Sequence, residues 1–123
     1  MSRTALDLTH DEWRAYRTRW PWDERAAAAR WTRAWSRTRL VAQAMRERFG
    51  ATKVVVSGSL VNRDRFSPFS DIDLAVRGIP AVLYYRAVAA ALDTAADVEI
   101  DVVDADSCGP ALREVIEREG IEV

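Results

Sequence analysis

The sequence lacks the features that direct a protein to a membrane or to an oxidising compartment. Cys108 is the only cysteine among 123 residues, so an internal disulfide is excluded and a reducing compartment is favoured. No apolar stretch approaches the length of a membrane-spanning helix, and the first residues, MSRTALDLTHDEW, contain no apolar segment of a secretory signal. The formal net charge of −1 gives no overall attraction to nucleic acid or to an anionic membrane. We therefore expect a cytoplasmic protein.

The charges are nevertheless distributed unevenly. Residues 1–50 carry eleven arginines against six acids, whereas residues 51–123 carry seven basic residues against thirteen acids. We expect the two halves to complement each other within one fold, and we consider an RNA-binding arm the less favoured interpretation. The length suits one compact domain, and no repeat or linker divides the chain. We predict a single domain over 1–123, with a helical extension over 1–49 and a core over 50–123.

The residue pattern predicts two helices, followed by strands and helices in turn. A capping box at Thr9 and Glu12 opens a first helix to about Trp20. A second helix begins at Pro21, carries Asp23 and Glu24 in its first turn, and runs to about Phe49, with Gly50 as its stop. Beyond Gly50 we predict strands over 53–56, 71–76 and 98–103, a short helix or loop over 60–70, and helices over 81–95 and 110–119. The second helix carries an apolar stripe at steps of three and four, formed by Ala28, Trp31, Trp35, Thr38, Ala42, Met45 and Phe49.

Two aspartates stand out because they share one predicted strand. Asp71 and Asp73 are two residues apart, so their carboxylates lie side by side on one face and repel each other. A divalent cation that prefers oxygen ligands, Mg²⁺ or Mn²⁺, would offset that repulsion. The alternative is an edge strand with a solvated acidic face, and the Asp-x-Asp pattern alone does not decide between them.

A further carboxylate on the next strand favours the metal interpretation. Asp101 lies within the apolar run Ile100-Asp101-Val102-Val103. A charged group in such a run is costly unless it has a partner. Three carboxylates on one sheet face are what two-metal nucleotidyl or phosphoryl transfer needs, the third completing the nucleophile's site and accepting its proton. Asp97 and Glu99 would share the face of Asp101, so the choice among these three stays open, with Asp101 preferred.

The Gly58-Ser59 pair, which follows the first predicted strand, supplies groups that can bind an anion. The Gly58 backbone permits close approach of a phosphate, and the Ser59 hydroxyl and neighbouring N–H groups can donate to it. Gly-Ser is also common in ordinary turns. It becomes informative only through the order of strand, Gly-Ser, spacer and Asp-x-Asp.

In these residues the sequence resembles the DNA polymerase β-type nucleotidyltransferase superfamily, and within it the minimal nucleotidyltransferase (MNT) proteins. The resemblance covers roughly residues 50–123 and is carried by VVVSGSLVNRDRFSPFSDIDLAV, by the later IDVV and by the terminal REVIEREGIEV. It implies an α/β (α+β) domain with a small mixed sheet and flanking helices. Two departures from the family's pattern concern the residues that would bind the triphosphate. The spacer from Ser59 to Asp71 is slightly long, and Leu60 replaces a frequent arginine, Arg63 and Arg65 being the nearest cations.

The resemblance implies a Mg²⁺-dependent enzyme that moves a nucleoside monophosphate, usually AMP from ATP, to a hydroxyl. Gly58 and Ser59 would contact the nucleotide, and Asp71, Asp73 and Asp101 would be the catalytic metal ligands. Many MNT proteins are antitoxins that adenylylate a HEPN-type ribonuclease toxin, so such a toxin is the implied partner.

Other readings of the sequence stay open. The protein could be a non-catalytic antitoxin that neutralises its toxin by forming a complex through the tryptophan-rich N-terminal helices. Transfer to a small molecule is less favoured, since nothing resembles a second, acceptor-binding domain. The oligomeric state, whether homomeric or heteromeric, is left open.

Overall fold

The computed structural model describes Thr9 and residues 23–123, and within them the first element is a long helix, α1 (Glu24–Phe49). Asp23 caps its start by accepting hydrogen bonds from the backbone N–H groups of Arg25 at 2.9 Å and Ala26 at 3.2 Å. Gly50 ends it in the left-handed conformation, with φ of 75°. The predicted end of this helix is therefore confirmed, while Asp23 is its cap and not part of its first turn. The predicted first helix and the predicted start at Pro21 lie outside the described residues.

Strands and shorter helices follow α1 in the order that the sequence predicts, with one addition. They are β1 (Lys53–Ser57), two short 3-10 turns (Gly58–Val61 and Arg63–Arg65), β2 (Ile72–Arg77), α2 (Ala81–Ala95), β3 (Ile100–Asp104), α3 (Pro110–Glu119) and β4 (Ile121–Glu122).

Two strands begin later than predicted, and one strand was not predicted. β2 begins at Ile72, so Asp71 stands immediately before the strand. β3 begins at Ile100 because the Val98 N–H bonds back to the Ala95 carbonyl at 3.2 Å and so belongs to the turn after α2. The added strand, β4, is two residues long and forms by pairing with β1.

The four strands form one mixed sheet in the order β3-β2-β1-β4. β1 pairs antiparallel with both β2 and β4, and β2 pairs parallel with β3. The predicted α+β fold with a small mixed sheet and flanking helices is confirmed. β3 and β4 are the edge strands, so the ends of β1 and β2 that carry Ser57 and Asp73 lie in the interior of the sheet.

The two faces of the sheet pack against different helices. Val54 and Val56 of β1 join the main core with α1 and α2, whereas Val55 belongs to a smaller cluster with Ile116 of α3. This alternation follows from the pleat, which points successive side chains to opposite faces. Asp73 has the same parity as Ala75, which lies in the smaller cluster, so the acidic positions lie on the α3 side. Asp71 and Asp101 are exposed there, and Asp73 is partly exposed.

The apolar stripe of α1 is confirmed along most of its length but is displaced at its start. Thr38, Ala42, Met45 and Phe49 are buried, and Trp31 and Trp35 are partly buried against the main core. Ala28 is exposed.

At the start of α1, Ala27 and Ala34 are buried instead of Ala28. The side of the helix that faces the core shifts gradually, because an α-helix has 3.6 residues per turn. Trp31 donates a hydrogen bond to the Leu60 carbonyl at 3.1 Å. It therefore lies over the turn that follows β1, an interior strand. Within residues 23–123 no helix is both long and apolar enough to cross a bilayer.

Candidate active site

The turn after β1 is built around Gly58, which has a positive φ of 72°. A Cβ added at this position would overlap Oδ2 of Asp73 and lie 3.2 Å from its Cγ. Glycine is therefore required here twice, for the left-handed backbone and for the carboxylate that packs against it. The Gly-Ser turn and the Asp-x-Asp pair are in direct contact in the fold.

Asp73 and Asp101 lie next to each other on one face of the sheet. They are Cα partners in the parallel register of β2 and β3, and Ser57 is the partner of Asp73 on its other side. Directly opposed residues share a face and lie within a few ångströms of each other. Ser57, Asp73 and Asp101 thus form a row across three strands, and the turn with Gly58 and Ser59 begins at the end of that row.

Asp71 completes the acidic group from just outside the sheet. Its side chain is 47% exposed, and its Oδ1 lies 3.8 Å from a guanidinium nitrogen of Arg30. Its charge still reaches Asp73, because both Asp101 and Asp71 raise the pKa of that carboxyl by like-charge repulsion. The three carboxylates that the sequence singles out are therefore within electrostatic range of one another.

Burial is the largest cause of the raised pKa of Asp73, ahead of the charges of Asp101 and Asp71. Ionising Asp73 therefore costs free energy in the folded protein. A cation at the site would offset both the repulsion and part of the desolvation. Because protons compete with that cation, cation binding is expected to strengthen as the pH rises through the raised pKa.

The sequence leaves Asp97 and Glu99 as alternatives to Asp101, and the structure separates them. Asp97 forms an ion pair with Arg33 of α1 at 2.8 Å. Glu99 precedes β3, and its carbonyl accepts the Ile72 N–H at 2.9 Å. Only the register of Asp101 sets a carboxylate directly opposite Asp73.

The donor set fits a hard divalent cation only in part. Within residues 9 and 23–123, no group of three or more His, Cys, Asp or Glu side chains is close enough to hold a metal ion. Carboxylate oxygens are nevertheless the ligands that Mg²⁺ prefers, and Mg²⁺ sites commonly combine one or two carboxylates with substrate phosphates. The site therefore fits a cation whose coordination a bound triphosphate would complete, with Asp73 and Asp101 opposed in the register and Asp71 nearby.

Two residues that the sequence did not place at the site join it from α1. Arg30 donates from Nε to the Ser70 carbonyl at 2.8 Å, and Trp31 donates to the Leu60 carbonyl at 3.1 Å. Trp31 was part of the predicted stripe, but Arg30 gave no local signal. Their contacts depend on how α1 crosses the fold, which a local sequence pattern does not specify.

Acidic residues set beside a Gly-Ser turn on a small mixed sheet define the nucleotidyltransferase class of site, and comparison with known proteins agrees. A family model described as "Nucleotidyltransferase domain" matches residues 39–123. The chain belongs to this family. No curated protein matches the chain at a significant level.

A solved structure described as "Structure of putative minimal nucleotidyltransferase" is similar, with 31% sequence identity and a TM-score of 0.58. The match covers 72% of this chain and 90% of the other. Together, the family and this neighbour support a general role in transferring a nucleoside monophosphate.

Proposed function

We propose that the protein transfers AMP from Mg²⁺-bound ATP to a hydroxyl group of a partner protein, and that it acts as the antitoxin of a HEPN-type ribonuclease toxin. One observation supports the transfer above all others: Asp73 is opposite Asp101 across β2 and β3, and the Asp73 carboxylate packs against the turn at Gly58. The choice of partner rests on the resemblance of the SGS…SDIDLAV stretch to the MNT antitoxins.

In this proposal each residue has a separate task. Gly58 and Ser59 receive the triphosphate through the backbone and the hydroxyl. Asp71, Asp73 and Asp101 would hold the divalent cation, which would neutralise charge on the triphosphate. The acceptor hydroxyl oxygen bonds to the α-phosphorus, the bond from that phosphorus to the β-bridging oxygen breaks, and pyrophosphate leaves. Asp101, exposed on the edge strand, takes the hydroxyl proton.

An exposed apolar surface on α2 favours a protein as the partner. β3 is an edge strand, and Tyr84 ties α2 to it by donating to the Val102 carbonyl at 2.9 Å. The outer side of α2 exposes Val82 and Tyr85, each 85% accessible, and Leu92 at 52%. Exposed apolar side chains are typical of protein interaction surfaces, so this surface of α2 supports a protein partner.

The test is transfer of label to the partner. The protein is incubated with Mg²⁺, ATP labelled at the α-phosphate, and the product of the neighbouring gene, which the proposal expects to be a HEPN-type protein. The wild type should label the partner, and the Asp71→Asn, Asp73→Asn double variant should not. Asp93→Asn, which changes an exposed aspartate on α2, is the matched control and should label normally. No labelling by the wild type with any of the four nucleoside triphosphates would refute the proposal.

A second candidate is an antitoxin that acts only by forming a complex. The observation in its favour is that no three-ligand metal group is assembled within residues 9 and 23–123. The double variant separates the two candidates, because a complex-forming antitoxin would still neutralise the toxin after both aspartates are replaced. Charge reversal along the described part of α1, at Arg33 or Arg37, would instead abolish neutralisation.

A further inference from the structure

The beginning of α1 contacts both halves of the site at once. Trp31 bonds to the carbonyl of Leu60, a fully buried residue directly after Gly58-Ser59. Arg30, the neighbouring residue, bonds to the carbonyl of Ser70, directly before Asp71. Both α1 residues precede residue 39, where the family match begins, so that match does not account for their contacts.

Asp71 needs such support because the sheet does not hold it. The paired positions of β2 begin at Ile72 against β3 and end at Asp73 against β1, so Asp71 lies outside both registers. Its carboxylate is also about half exposed. The hydrogen bonds of the sheet therefore fix the peptide bond that follows Asp71. The position of the peptide bond that precedes Asp71 depends on other contacts.

Arg30 makes that contact with a geometry suited to positioning. Its side chain is only 20% exposed, and its Nε–H bond to the Ser70 carbonyl, at 2.8 Å, is charge-assisted and partly buried. From the same guanidinium, a terminal nitrogen lies 3.8 Å from Oδ1 of Asp71. One planar group thus holds the backbone before Asp71 and faces its carboxylate.

Other nearby arginines are engaged elsewhere. Arg63 pairs with Glu24 at 2.7 Å and also donates to the Phe66 carbonyl at 3.4 Å. Arg33, on the next turn of α1, pairs with Asp97 at 2.8 Å.

We propose that Arg30 is a positioning residue for Asp71, fixing the Ser70–Asp71 peptide so that this carboxylate meets the cation of a metal-bound nucleoside triphosphate. The inference rests on the proposed function, since it concerns the same site, and it adds a residue from the helical extension to that site. Arg30 acts through Asp71 and contacts no reacting atom.

The Arg30→Lys variant tests whether the planar shape of the guanidinium matters for binding in addition to its positive charge. It keeps the positive charge, but one ammonium group cannot reproduce the planar fork that spans the Ser70 carbonyl and Asp71. If charge alone mattered, Arg30→Lys would bind the metal–nucleotide complex as the wild type does. Arg33→Lys is the matched control, because Arg33 lies one turn further along the same helix and its guanidinium pairs with Asp97.

The experiment measures the affinity for the Mn²⁺ complex of a non-hydrolysable α,β-methylene ATP analogue by titration calorimetry. It is run at a temperature where thermal unfolding shows every variant to be folded. Arg30→Lys should bind about tenfold more weakly, as expected for loss of one hydrogen bond from a charged group. Arg33→Lys should bind as the wild type does.

A double-mutant cycle then identifies the residue through which Arg30 acts. In an Asp71→Asn background, Arg30→Lys should cause little further loss, whereas two independent effects would multiply. Wild-type-like binding by Arg30→Lys, or an undiminished loss in the Asp71→Asn background, would overturn this inference alone. A wild-type protein that does not bind the complex would overturn the proposed function and this inference together.

Discussion

Replacing Gly58 with alanine should separate the geometry of the site from the stability of the fold. The substitution carries two costs. An L-residue at φ of 72° costs about 1–2 kcal/mol of backbone strain. The new Cβ would also overlap Oδ2 of Asp73, which is the end of a side chain that can rotate away. The second cost therefore falls on the position of the carboxylate more than on folding.

The functional cost should exceed the stability cost. A displacement of about an ångström at a reacting centre can lower a rate by about 100-fold, so Gly58→Ala should lose transfer of labelled AMP by about that factor. Gly50→Ala is the matched control: Gly50 has φ of 75°, and nothing lies within 4 Å of an added Cβ. Urea denaturation should show similar losses of unfolding free energy for both variants. If Gly58→Ala transferred AMP as fast as Gly50→Ala, the close packing of Asp73 against Gly58 would not be needed for the reaction.

Three further outcomes follow from the same contacts. Because the folded-state pKa of Asp73 is raised above its ordinary value of 3.8, its ionisation costs stability as the pH rises through the raised pKa. Asp73→Asn should thus raise the Tm of the metal-free protein at pH 7, and the gain should disappear below about pH 4. Asp101→Asn should lower the pKa of Asp73, measured by NMR titration, and should reduce transfer by about 10²–10⁴-fold if Asp101 accepts the proton. Phe66→Ala should cost about 3–5 kcal/mol in urea denaturation, since this ring is fully buried under the loop that leads to Asp71.

The parts of the fold that the sequence predicts well are those with strong local signals. The end of α1 follows from Gly50, and α2 and α3 have the predicted bounds. β1 follows from its run of valines bounded by a Gly-Ser turn. In each case the residues themselves favour the structure they adopt, through capping, helix-forming residues or β-branching.

Features decided by tertiary contacts were harder to predict. β4 has two residues, and pairing with β1 makes it a strand. Whether the strand of Asp101 runs parallel or antiparallel to that of Asp73 is undetermined locally, because either direction could bring the carboxylates together. The contact of Arg30 with Ser70 joins residues forty positions apart, and it depends on the path of α1 across the fold.

Neither of the two structural reasons for glycine at position 58, the left-handed backbone and the contact with Asp73, was predicted. The sequence favours close approach of a phosphate to that backbone. The structure adds the carboxylate of Asp73, which packs where a Cβ would stand. The catalytic and metal-binding roles of these residues stay predictions.

The most direct test of the central claim is a comparison of two labels in ATP. With Mg²⁺ and the partner protein present, label at the α-phosphate should be found on the partner, and label at the γ-phosphate should be released as pyrophosphate. Both results should require Asp73 and Asp101 and should disappear with EDTA. Transfer of the γ-label to the partner, or transfer of the α-label that persists with EDTA or in Asp73→Asn, would contradict the assignment of this site to metal-dependent nucleotidyl transfer.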